Sequence, residues 1–143
     1  MSAIKTTVIC LLSILFFSAN AKTRPDTIDF WHVLYNNKII AKFNEVTATP
    51  FVVIRIQTIT TKDVLTVEYG CDTPCEDCTQ GLYLMEDTLR KIELIKVKGT
   101  AKPLKISVMK LFTIWKTMGC KPLGIYYFDD RRNKYIFELN FSN

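Results

Sequence analysis

Short runs of alternating apolar and polar residues recur along most of the chain, and this two-residue period limits the folds it can adopt. Val52, Ile54 and Ile56 alternate with Val53, Arg55 and Gln57. Leu65, Val67 and Tyr69 alternate with Thr66 and Glu68, and Leu104, Ile106 and Val108 alternate with Lys105 and Ser107. Successive side chains of an extended strand point to opposite faces, so each run reads as a strand with one buried face.

The first pair of runs, 30–35 and 38–43, flanks Asn36-Asn37. Asparagine tolerates the positive φ that a tight two-residue hairpin demands. With that loop Leu34 pairs with Ile39, His32 with Ala41, and Phe30 with Phe43, and the six share one face. This set is the more apolar and is expected to face inward. It takes His32, the single histidine of the chain, into a half-buried position. Trp31, Val33 and Tyr35 then look outward beside Lys38, Ile40 and Lys42.

Further strands are expected at 82–85, 90–98, 124–128 and 135–141, and in the last one Tyr135, Phe137, Leu139 and Phe141 alternate with Ile136, Glu138 and Asn140. In 90–98 the inward parity slips between Leu94 and Ile95, which predicts a bulge, because one extra residue reverses the faces. The spacing of Leu111, Trp115 and Met118 predicts a short helix over 109–118, with Gly119 placed to cap its C-terminus. Eight or nine short strands joined by turns, with one short helix, define an all-β chain. A single antiparallel β-sandwich is expected, with a small lipocalin-like β-barrel as the alternative.

Residues 1–21 read as an export signal. Lys5 supplies a positive start, 8–17 is apolar, and Ala19-Asn20-Ala21 is a small-x-small cleavage site. The apolar stretch is too short to span a bilayer, and no later run reaches spanning length. The expected mature domain is 22–143, secreted or periplasmic. Cys10 leaves with the leader, so four of the five cysteines remain, and loss of Lys5 lowers the net charge of +5 by one.

Three of those four, Cys71, Cys75 and Cys78, lie in an eight-residue stretch that also holds Pro74. In an oxidising compartment structural disulfides are the expected state. Cys75 and Cys78 are near enough in sequence to join locally, leaving Cys71 to meet Cys120. A zinc module on Cys71, Cys75 and Cys78 is an alternative, although no second C-x-x-C follows at knuckle spacing. A redox C-x-x-C is disfavoured by Glu76 and Asp77, whose charges oppose thiolate formation. No cofactor or metal is expected.

With a single histidine and no G-x-S-x-G, H-E-x-x-H or glycine-rich phosphate loop, ordinary hydrolytic machinery is missing. A hydrolase using acidic residues in a sandwich cleft is the enzymatic alternative; a non-catalytic binding or structural module is the main expectation. Two surfaces are candidates for binding. Between Arg90 and Lys121 nine bases face one acid, Glu93, and Lys91, Lys96, Lys98 and Lys105 lie on strands. Such a surface attracts an anionic glycan or envelope surface, whereas nucleic acid is excluded for an exported chain. The second candidate is the outward face of the first hairpin, where Trp31 and Tyr35 stand near Lys38 and Lys42 as a cation–aromatic platform.

Overall fold

Nine strands among the described residues form two open sheets packed face to face. The computed structural model describes residues 28–47, 50–71, 73–86 and 90–143; the expected leader and its cleavage site lie outside them. The strands are β1 (Phe30–Tyr35), β2 (Lys38–Asn44), β3 (Phe51–Arg55), β4 (Val64–Gly70), β5 (Thr79–Met85), β6 (Lys91–Lys98), β7 (Leu104–Ser107), β8 (Leu123–Asp129) and β9 (Asn133–Ser142). One α-helix, α1 (Val108–Thr117), joins β7 to β8. Sheet A runs in the order β2-β1-β4-β7 and sheet B in the order β3-β9-β8-β5-β6. The sandwich is therefore the architecture, and neither sheet closes into a barrel. All pairings are antiparallel except β3 with β9, which is parallel.

The core is built from the inward rows of both sheets, including Val33, Leu65, Val67, Leu82, Leu84, Ile125 and Leu139. The row Leu65, Val67 and Tyr69 in β4 is buried as its alternation predicts. The first hairpin corrects the sequence reading. Asn36 and Asn37 do take positive φ, 48° and 67°, but the register shifts between Val33 and Leu34 and leaves Ile40 as an extra residue. Trp31, and not Phe30, then faces Phe43 across the pair. Because β1 also pairs with β4, its parity follows that strand: Trp31 lies opposite Tyr69 and Val33 opposite Val67. The inward face is thus Trp31 and Val33, while Phe30, His32 and Leu34 point outward. His32 is half-buried on that outer side, its ring 5.0 Å from Phe30.

The bulge expected in β6 is present. Leu82 pairs with Ile95 and Tyr83 with Glu93, so Leu94 is the extra residue. A second bulge, unforeseen, falls in β9, where Ile125 pairs with Phe137 and Tyr126 with Tyr135. Ile136 is the extra residue there and is buried, which breaks the alternation expected from Tyr135 to Phe141 and puts Tyr135 on the outer face, opposite to Phe137.

Helix α1 buries Val108, Leu111 and Trp115. Its first N–H donates to the Asp63 carbonyl at 3.0 Å, and the Trp115 ring meets Phe141 at 5.4 Å. Gly119, at φ +74°, ends it. The Gly119 N–H donates to the Lys116 carbonyl at 3.2 Å and the Cys120 N–H to the Trp115 carbonyl at 2.9 Å. That pair of bonds is the Schellman arrangement, which satisfies carbonyls the helix leaves free.

Cys75 and Cys78 are bridged. Cys71 and Cys120 are both unbridged, which corrects the long-range pairing expected between them. Topology gives the reason. Cys71 shares a hollow with Asp129 at the end of β8, whereas Cys120 precedes its start at Leu123. A strand of that length, at about 3.4 Å per residue, separates the two cysteines far beyond disulfide reach.

Candidate functional site

The hairpin platform expected from Trp31, Tyr35, Lys38 and Lys42 does not exist as a surface. Trp31 is 1% exposed, packed against Phe43, Tyr69 and Tyr127 at ring distances of 5.8, 5.5 and 5.9 Å. The Lys134 Nζ covers its ring at 5.0 Å. Tyr35 is half-buried and donates its hydroxyl to Asp63 Oδ2 at 2.5 Å. Lys38 and Lys42 are both exposed, but Lys42 faces outward opposite His32. The residues that alternation placed together are divided between the two faces of sheet A.

The lysine set also divides. Lys91, Lys96 and Lys98 are exposed on β6; they sit opposite Met85, Gly81 and Thr79, on the outer face of sheet B. Lys105 is exposed on β7, in the other sheet. Lys98 is engaged with Asp77 at 2.8 Å.

Pairing places a row of aromatic rings on the outer face of sheet B, reached from β5, β8 and β9. Tyr83 and Tyr126 face each other across β5 and β8 and stack with centroids 5.0 Å apart and planes 19° off parallel. Tyr126 continues to Tyr135 at 5.1 Å, and Phe128 lies 6.2 Å from Tyr83. Glycines let these rings lie close to the sheet. A Cβ on Gly81 would meet the Phe128 ring at 2.6 Å, and one on Gly124 would meet Tyr135 at 3.1 Å. Lys91 Nζ stands over the Tyr83 ring at 4.7 Å. The Tyr83 hydroxyl donates to Asn133 Oδ1 at 2.5 Å.

A cleft of about 470 Å³ opens beside this row, lined by Tyr83, Lys91, Glu93, Phe128, Asp129, Arg132 and Asn133. Its size falls within the range of small-molecule sites, and the mixture of ring surface with a few fixed polar groups is typical of them. A larger hollow, about 660 Å³, lies between the cysteine loop and the β6–β7 turn, but its lining includes no aromatic ring.

The deep end of the cleft is fixed by a polar network between the sheets. Arg132, in the β8–β9 turn, forms an ion pair with Asp29, and its Nε lies 3.3 Å from Asp129 Oδ2. Asp29 Oδ1 accepts the Tyr69 hydroxyl at 2.7 Å. Asp129 Oδ1 accepts the N–H groups of Arg131 and Arg132 at 2.8 and 2.9 Å. The Tyr127 hydroxyl lies 3.2 Å from Gln80 Oε1 and 3.3 Å from Asp129 Oδ2. Gln80 Nε2 in turn donates to the Gly99 and Lys102 carbonyls at 2.6 and 2.8 Å. Burial, first of all, pushes the Tyr69 and Tyr127 hydroxyls above their ordinary pKa, with Cys71 and Asp129 adding to the effect. Both therefore act as neutral donors.

This arrangement bears on the acids. Asp129 and Glu93 line one cleft, but Asp129 is occupied by donors from Arg131, Arg132 and Tyr127. Its oxygens hold the turn in place, which leaves little capacity for moving a substrate proton. Among the described residues no group of three or more His, Cys, Asp or Glu is arranged to hold a metal ion, and no helix is long and apolar enough to cross a membrane.

Alternation in 124–128 carries the signal that would have found Tyr126 and Phe128, since Ile125 and Tyr127 are the buried residues of that strand. Tyr83 gave no such signal in the short apolar run 82–85, and Tyr135 was hidden by the Ile136 bulge. No protein-family model matches this chain, and no curated protein or solved structure matches it either.

Proposed function

We propose that the chain is an exported, non-catalytic binding module that takes an acidic glycan in the cleft on the outer face of sheet B. The observation that carries this reading is the Lys91–Tyr83–Tyr126 stack at the edge of a 470 Å³ cleft. Aromatic surface suits the apolar faces of sugar rings, and a lysine held over an aromatic ring presents a cation at a defined height. Lys96 stands on the same face, which extends the positive charge along β6. Arg132 and Asn133, at the β8–β9 turn, add donors for hydroxyl or carboxylate groups. The leader-like residues 1–21 and the Cys75–Cys78 bridge support an oxidising compartment.

Calorimetric titration with acidic and neutral oligosaccharides tests the proposal. Acidic chains are expected to bind more tightly, and the difference should shrink with salt, because exposed charges are screened beyond about 10 Å at 0.1 M. Lys91→Ala should weaken binding about fivefold, the equivalent of about 1 kcal/mol, and Tyr126→Ala should weaken acidic and neutral chains alike. Equal affinity of native protein and both variants for every saccharide would reject the cleft as the site.

A further inference from the structure

We infer that Cys71, Cys75 and Cys78 form a thiol–disulfide exchange centre, in which the free Cys71 thiol attacks the Cys75–Cys78 bridge of its own molecule. The three cysteines line one hollow of about 20 Å³ at the end of β4, roughly the room that one water occupies. Cys71 is unbridged and half-buried, and Cys75 and Cys78 are joined. The β6–β7 turn fixes the loop in place. The Cys75 N–H donates to Thr100 Oγ1 at 2.8 Å, and the Thr100 N–H returns a bond to the Cys75 carbonyl at 2.8 Å. The Gly99 N–H donates to the Cys78 carbonyl at 2.7 Å. Both halves of the bridge are thus anchored to the β6–β7 turn, whose Thr100 lines the same hollow as Cys71, and this anchoring narrows the loop conformations that the thiol has to meet.

The step balances within the molecule. The Cys71 thiol loses its proton to solvent, and the thiolate attacks the Sγ of Cys75 or Cys78. A new S–S bond forms on Cys71 as the old one breaks. The expelled sulfur leaves as a thiolate and takes up a proton. No electrons are gained or lost, so no oxidant is required. Arg131 and Arg132 line the same hollow; the Arg132 guanidinium is paired with Asp29 and Asp129, so the positive charge nearest the departing sulfur is largely countered, and Asp129 is also tied to both arginines' backbone N–H groups. Glu76 and Asp77 are exposed, and Asp77 is paired with Lys98. Cys120 takes no part, since it stands exposed in the turn after α1. Exchange trades the local ring for a bridge to β4 and releases a thiol in the cysteine loop.

Cys75→Ser and Cys78→Ser variants, each combined with Cys120→Asn, test the inference after treatment with glutathione disulfide. Non-reducing peptide mapping should find Cys71 bridged to the remaining loop cysteine in at least one of them, at a rate independent of protein concentration. Mixed disulfides that persist in both folded variants, with Cys71 still open to alkylation, would overturn it, as would a rate that rises with concentration. Should near-ultraviolet circular dichroism show that the variants have lost their packing, the Cys120→Asn protein is incubated alone near the ordinary thiol pKa of about 8.5 and then alkylated. Label on Cys75 or Cys78 supports exchange, and label confined to Cys71 refutes it.

Discussion

Arg132, from the turn between β8 and β9, closes an ion pair on Asp29, just ahead of β1, and so ties sheet B to sheet A. The same guanidinium stands 5.5 Å from the centre of the Tyr69 ring, while Tyr69 donates to the same carboxylate at 2.7 Å. Two sheets that meet mainly through apolar rows are joined here by a charged contact, as they also are where Lys134 of β9 reaches Glu45 at 3.5 Å. Removing one partner leaves a buried charge without its counterion, and that loss outweighs the modest net value of the pair itself.

Arg132→Ala is therefore expected to destabilise the protein by about 3 kcal/mol, read as a lower urea midpoint. Asp29→Asn, which keeps an acceptor for the Tyr69 hydroxyl, should cost less. Equal midpoints for Arg132→Ala and the native protein would show that the contact contributes nothing to holding the sheets together.

A second polar contact sets the pH limits of the β1–β2 end. The Tyr35 hydroxyl donates to Asp63 Oδ2 at 2.5 Å, and Asn36 Nδ2 to Asp63 Oδ1 at 2.9 Å. Burial, then the hydrogen bond and charge of Asp63, push Tyr35 up to about 12. The Tyr35 bond, with further donors from Thr60 and Asn36, holds Asp63 well below the usual carboxylate range. For Tyr35 the folded state binds the proton more tightly, so its stabilising effect is complete below about pH 10 and is lost as pH rises towards about 12. Asp63 has the opposite sign: its contribution is present above about pH 3.9 and is lost as pH falls through the lower folded value. Tyr35→Phe should flatten both ends of a stability-against-pH curve relative to the native protein. Parallel curves for the two proteins would refute the coupling.

The end of α1 isolates a purely conformational effect. Gly119 has φ +74°, and a Cβ placed on it would meet nothing within 4 Å. Gly119→Ala should cost about 1 kcal/mol, from the left-handed backbone alone. Gly119→Asn should cost less, because asparagine visits that region more readily. The paired denaturation midpoints check this, and an alanine variant as stable as the native protein would mean that the turn rearranges freely.

Much of the fold was legible because local period and turn chemistry agree. The row Leu65-Val67-Tyr69, the Asn36-Asn37 turn, the Leu94 bulge and the Gly119 cap each follow from residues close in sequence. What was misread depends on partners distant in sequence. Trp31 faces inward because β1 pairs with β4, and the Ile40 bulge completes the reversal. Tyr135 faces outward because Ile136 inserts into β9. The parallel pairing of β3 with β9 brings together segments some ninety residues apart in the sequence, and alternation within a strand carries no direction. The cleft was hidden for the same reason. Its rings come from β5 and β8 and its charges from β6 and the β8–β9 turn, and only strand order makes them neighbours.

Gly81 joins the β6 bulge to the aromatic row, and its substitution tests both. A Cβ there would lie 2.4 Å from the Ile95 carbonyl oxygen and 2.6 Å from the Phe128 ring. The oxygen belongs to the backbone beside the bulge, so it cannot swing aside as a side chain would, and relief requires β5 and β6 to separate. Gly124, under Tyr135, offers a gentler comparison: its nearest contact is 3.1 Å, to a ring at the end of a side chain. Gly81→Ala should therefore destabilise by about 3 kcal/mol, within the range for overpacking a close-packed site. Gly124→Ala should cost about 1 kcal/mol or less, since the Tyr135 ring gives way by a few tenths of an ångström. Urea midpoints order the two variants, and hydrogen exchange at the β5–β6 amides should rise only in Gly81→Ala. Similar losses in both, with β5–β6 exchange unchanged, would mean that ring crowding rather than the Leu94 bulge makes glycine necessary at 81.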